Sequence, residues 1–79
     1  MSMESWQVAF EDARAAVGEA DERFQAADLL FSRRLAEKAS RPIEQVDHDR
    51  WVAAKDALDQ AHAAWTVIAR TAPIAPAAN

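Results

Sequence analysis

From Glu4 to Ala39 the chain runs without a proline, and large apolar residues return every seven positions at Phe10, Val17, Phe24 and Phe31. Ala13, Ala20 and Ala27 fall between them, giving an a/d heptad with bulk at one seam position and alanine at the other. Trp6 and Met3 carry the same stripe towards the N-terminus. The helix therefore starts near Ser2 or Met3, with Ser2 as cap and Glu4 in the first turn, where negative charge is favourable. The pattern predicts a helix over about 3–39, about 54 Å long.

The second half repeats the device. Trp51, Leu58, Trp65 and Ala72 occupy one seam position, and Ala54, Ala61 and Ile68 the other. Asp47 is suited to cap this helix, with Asp49 in its first turn and Val46 and Trp51 placed as a hydrophobic staple. Helix two is expected over about 47–71, after a connection at 40–46 whose Pro42 ends helix one. A Pro/Ala-rich tail follows at 73–79, where the prolines stop further helix. The expected fold is all-α: residues 1–72 form an antiparallel two-helix hairpin, coiled-coil-like, with aromatic set against alanine across the seam.

Closing the hairpin through that connection pairs Phe31 with Ala54, Phe24 with Ala61 and Val17 with Ile68. Helix two then runs out near residue 15 of helix one. Met3, Trp6 and Phe10 are left on the stripe without a partner in their own hairpin, and Leu29 and Leu30 add apolar surface that one interface does not cover. These five residues are expected at a protein interface. Two copies packing into a two-fold four-helix bundle would cover them, with the small residues Ala9, Ala16, Ala57 and Ala64 permitting close approach. Trp6 has the residue type that most often dominates binding energy.

Composition narrows the chemistry. The chain has 79 residues, no cysteine and a single glycine, so it holds one domain with neither disulfides nor thiolate metal sites, and strand-rich folds are disfavoured. Its 51% hydrophobic content is largely alanine, which favours helix while burying little area, so a small core is expected. A net charge of −4 disfavours direct nucleic-acid binding. No apolar run is long enough to span a bilayer, and Met1 to Ser5 lacks the basic start of a signal peptide, so no membrane association and a cytoplasmic location are expected.

No phosphate-binding glycine loop or nucleophile–histidine pair is present, and no catalytic residue or cofactor is expected. Asp59 and His62 form a carboxylate-x-x-His pair, with Asp28 expected at the same level on the facing helix. In that spacing and in hairpin length the chain resembles the encapsulated ferritins, and the resemblance implies a di-iron site completed by two hairpins. It departs from their pattern in using aspartate for glutamate and in placing Asp59 on the outer side of the heptad.

Charge is uneven along helix one. Glu4, Glu11, Asp12, Glu19, Asp21, Glu22 and Asp28 face only Arg14 and Arg23, whereas Arg33, Arg34, Lys38 and Arg41 gather near the hairpin tip. In part this complements the helix dipole and allows pairs such as Glu19 with Arg23 and Glu37 with Arg41. Glu11, Glu19 and Glu22 are also placed to meet a protein partner with a basic surface. The expectation is a non-enzymatic, homodimeric, acidic regulator or inhibitor of the kind that phages and mobile elements carry, an analogy of class only. An assembly component that works through its own oligomer is the alternative.

Overall fold

In a computed structural model, residues 2–37 and 43–74 are described. They form two helices and, among these residues, no strand: α1 (Met3–Ala36) and α2 (Gln45–Arg70), packed antiparallel along their length. The molecule measures 68 × 22 × 14 Å across its Cα atoms, so it is a single layer, two helices wide.

α1 begins as its sequence predicts. The Ser2 hydroxyl accepts the Ser5 amide at 3.1 Å and satisfies one of the donors that the first turn leaves free. Its other end differs from expectation. The helix stops at Ala36, where Glu37 is the cap and Arg33 and Arg34 sit in the last turn, favourably placed for the dipole. Lys38 to Pro42 lie outside the described residues, and with Arg41 the expected Glu37–Arg41 pair, as do Ala75 to Asn79 of the tail.

α2 starts earlier than its capping chemistry predicts. Glu44 is the N-cap, without a side-chain hydrogen bond, and its carbonyl receives the Asp47 and His48 amides at 3.1 and 3.2 Å. Asp47 therefore lies inside the first turn rather than capping it. The cause is across the seam: its carboxylate, 6% exposed, stands 3.5 Å from Arg34 Nε. An aspartate that would otherwise cap is drawn into the interface by a cation on the facing helix. The Val46–Trp51 staple does not form in the expected sense, since Val46 is already helical and 48% exposed.

The seam is shallow. Ala20 and Leu58 are the buried apolar residues, and no described side chain is fully buried. Phe10, Ala13, Val17, Phe24, Ala27 and Phe31 of α1 are half-buried, as are Trp51, Ala54, Ala61, Trp65 and Ile68 of α2. The heptad thus names the residues that face the partner helix, while a two-helix layer leaves each of them one side in water.

Candidate protein-binding surface

The helices pair in a different register from the one predicted. Phe24 meets Trp51 edge to face at 5.6 Å between ring centroids, roughly three helical turns before the Ala61 it was expected to face. Phe31 packs on Trp51 at 5.8 Å and on His48 at 6.4 Å, and Phe10 meets Trp65 at 5.7 Å. The shift follows from the earlier end of α1 and the earlier start of α2, which pair each level of α2 with an earlier level of α1.

Because of that shift, α2 reaches the N-terminal turns of α1, and the expectation that Trp6 and Phe10 lack a partner in their own hairpin is corrected. Trp6 stacks on Phe10 at 5.0 Å, and its indole Nε1 donates to the Ile68 carbonyl at 2.8 Å. That carbonyl lies in the last turn of α2 and also receives the Thr71 amide and hydroxyl, at 3.0 and 2.8 Å. Last-turn carbonyls have no intrahelical donor of the ordinary kind, so Trp6 closes the end of α2 from the opposite helix. Met3 stays half exposed at the start of α1.

The register set by Trp51 with Asp28 and Arg34 with Asp47 puts Phe24 level with Ala54 and buried Ala20 level with buried Leu58, and the rings also meet one another diagonally. The bulky position of α1 (Phe10, Phe24, Phe31) meets the bulky position of α2 (Trp51, Trp65) along one edge. By the heptad, the alanines at the other seam position of both helices, Ala13, Ala20 and Ala27 with Ala54 and Ala61, then share the opposite edge.

The aromatic edge carries a polar fringe. Trp51 Nε1 donates to Asp28 Oδ1 at 2.9 Å, Lys55 Nζ lies 5.9 Å from the Phe24 centroid and 2.8 Å from Asp59 Oδ1, and the His62 ring leans on Trp65 at 6.3 Å. Asp28 is thus level with Trp51, not with Asp59 and His62, which lie roughly 12 Å or more further along α2. The three residues expected to share a metal are not gathered, and among the described residues no group of three or more His, Asp or Glu is arranged to hold one. An open depression of about 290 Å³ lined by Trp65, Thr66, Ala69 and Arg70 lies on the same side.

The alanine edge is fringed by Asp12, Glu19, Arg23 and Arg33, whose side chains are exposed and pair with no described residue of the hairpin. Ala16, Ala53, Ala57 and Ala64 are exposed beside it, with Ala9 and Leu30 half-buried. Leu29 and Val8, 61% and 58% exposed, stand on the outer face of α1. Glu11, Glu19 and Glu22 are exposed, and the expected Glu19–Arg23 pair does not form among the described residues. Of the residues expected at an interface, Leu29, Met3 and the three glutamates are therefore open to a partner, while Trp6, Phe10 and Leu30 are partly covered. Sequence reasoning missed Val8, Val46 and Val67 as exposed apolar residues. Their signal was available: all three lie off the seam positions of their heptads.

No helix among the described residues is long and apolar enough to cross a membrane. No protein-family model, curated protein or solved structure matches the chain.

Proposed function

We propose that this chain is a non-enzymatic protein that acts by protein–protein binding, as a small acidic regulator or inhibitor, and that two copies pair into a four-helix bundle. The observation that carries the reading is the shallow seam: a hairpin with a full complement of aromatic and aliphatic seam residues in which no described side chain is fully buried. A domain of this size stands close to the limit of independent stability, and a second layer is the usual remedy when neither disulfide nor metal contributes. The acidic side chains Glu11, Glu19 and Glu22 then offer a partner with a basic surface a charged face to dock on.

Sedimentation equilibrium at micromolar concentration tests the pairing, and a mass of twice the chain is the expected result. The binding role is tested by affinity capture from extracts of the source cells, comparing the native hairpin with a Glu11→Lys, Glu22→Lys variant. A basic protein retained by the native chain and released by the variant supports the reading. Capture indifferent to the two charges removes the acidic surface from it.

A further inference from the structure

The two edges of the hairpin leave two broad faces, and only one of them is suited to a second layer. We infer that the second copy docks on the alanine-lined face, with the two hairpin tips at opposite ends of the bundle. The inference rests on the proposed pairing and specifies its geometry.

The first argument is what each face already carries. On the aromatic side, Trp51, Phe24 and Trp65 are bordered by Asp28, Lys55, Asp59 and His62, and several of these are already paired within the hairpin. Covering them would desolvate charged groups without replacing their water. The other face presents Ala16, Ala53, Ala57 and Ala64, exposed, with Leu30 and Val46 among them. Side chains this short let helix axes approach closely, and the charged groups on this face have no partner among the described residues of their own hairpin, so a second copy can replace the water they lose.

Area is the second argument. The overlap of α1 and α2 is limited by the 26 residues of α2, about 39 Å of helix, and two helices side by side are roughly 20 Å wide. The face is therefore about 800 Å², the area per partner of a standard stable interface.

Charge decides both occupant and direction. Asp12, Glu19, Arg23 and Arg33 all project from α1 towards the alanine side by their heptad positions. Among the described residues none of the four has an ion-pair or hydrogen-bond partner in the hairpin. A two-fold axis crossing α1 near residue 22 sets Asp12 opposite Arg33 and Glu19 opposite Arg23 of the other copy, both within about one turn of a single register. The same axis crosses α2 near residue 55, placing Val46 over Ala64, large on small, and Ala53 over Ala57, small on small. Turning the second copy so that the tips coincide brings α1 over α2 instead and draws Arg33 towards Arg50 of the other copy, like against like. The pattern is self-complementary only in the first arrangement, which is what an isologous interface demands.

Two measurements on the full chain test the geometry. The absence of cysteine lets Ala36→Cys, on the outer face of α1 near the tip, carry one spin label per copy. Opposed tips give an inter-label distance of about 40 Å, whereas coincident tips give about 20 Å and overturn the direction. The face is tested by Ala16→Glu with Ala64→Glu, both exposed helix positions where glutamate keeps the helix. The dimer dissociation constant is expected to rise about 100-fold or more with helix content unchanged, while Ala69→Glu on the aromatic side leaves it within about threefold. A dimer indifferent to the double substitution but broken by Ala69→Glu assigns the pairing to the other face. A native chain that sediments as a monomer, with no inter-label distance, sinks the pairing itself rather than its geometry.

Discussion

Along one edge of the seam, Phe10, Phe24, Phe31, Trp51 and Trp65 meet ring to ring, and Asp28 and Lys55 close over them. Along the other, alanines of both helices line up with exposed Ala16, Ala57 and Ala64 beyond them, and the charged groups at its margin, Asp12, Glu19, Arg23 and Arg33, pair with no described residue of the hairpin. Both edges come from one heptad, so the difference does not lie in which positions are apolar. It lies in the volume at each position once the register is set. Aromatic on aromatic fills its edge from within the hairpin and leaves ring faces for polar side chains to lean on. The alanine edge ends in short, exposed side chains and in charges unpaired among the described residues. The hairpin is thus finished on one side and open on the other.

The largest expected effect tests whether the aromatic edge supplies the hairpin's own stability. Trp51 touches both Phe24 and Phe31 and donates to Asp28, so it joins three residues of α1. Trp51→Ala is expected to cost about 2 to 4 kcal/mol, somewhat less than a fully buried tryptophan because the ring is only half covered. Urea unfolding followed by circular dichroism measures it, at a fixed chain concentration since pairing shifts apparent stability. A loss below about 1 kcal/mol would make the aromatic edge a surface feature and dissolve the contrast.

The next substitution probes the alanine edge from inside. Ala20 is, with Leu58, one of the two buried apolar residues among those described. Ala20→Leu forces bulk into this buried seam position, with an expected cost of about 1 to 3 kcal/mol. The comparison is Ala15→Leu, on the exposed outer face of the same helix, expected within about 0.5 kcal/mol of the native chain. Equal effects would mean that the alanine edge is not closed and that the helices are held along the aromatic edge alone.

How much of this was legible in the sequence follows from the same contrast. The heptads, the Ser2 cap and the hairpin itself depend on local periodicity and local hydrogen bonds, and these are written along the chain. Register is not local. It is set by where α1 stops and α2 starts, and Asp47 shows how such an end can mislead: aspartate is equally suited to cap a helix and to meet a cation, and the presence of Arg34 across the seam decides between them. From the misplaced end followed the wrong levels for Asp28 and Ala61 and the false isolation of Trp6. The segregation of aromatic from alanine was hidden for the same reason. Which seam residues share an edge is fixed by the pairing of two helices, whereas the sequence of each helix shows only that large and small alternate.

The smallest effect compares two tryptophans at the open end whose indole nitrogens have opposite fates. Trp6 Nε1 donates to the Ile68 carbonyl at 2.8 Å, while Trp65 Nε1 is buried without a hydrogen-bond partner among the described residues. Trp6→Phe keeps a ring for Phe10 to stack on but removes a donor that closes α2, at an expected cost of about 1 kcal/mol. The loss is moderate because Thr71 still donates twice to that carbonyl. Trp65→Phe gives up part of the packing against Phe10 and His62, yet it also removes an N–H that folding strips of water without return. The two contributions oppose each other, and the net change is expected to stay within about 0.5 kcal/mol. Hydrogen exchange separates the pair further: the amides in the last turn of α2 lose protection in Trp6→Phe and keep it in Trp65→Phe, since only the first substitution unties the helix end. Should Trp65→Phe prove the costlier of the two, the packing of Trp65 outweighs its unpaired donor, and the end of α2 is held by ring contacts rather than by the hydrogen bond from Trp6.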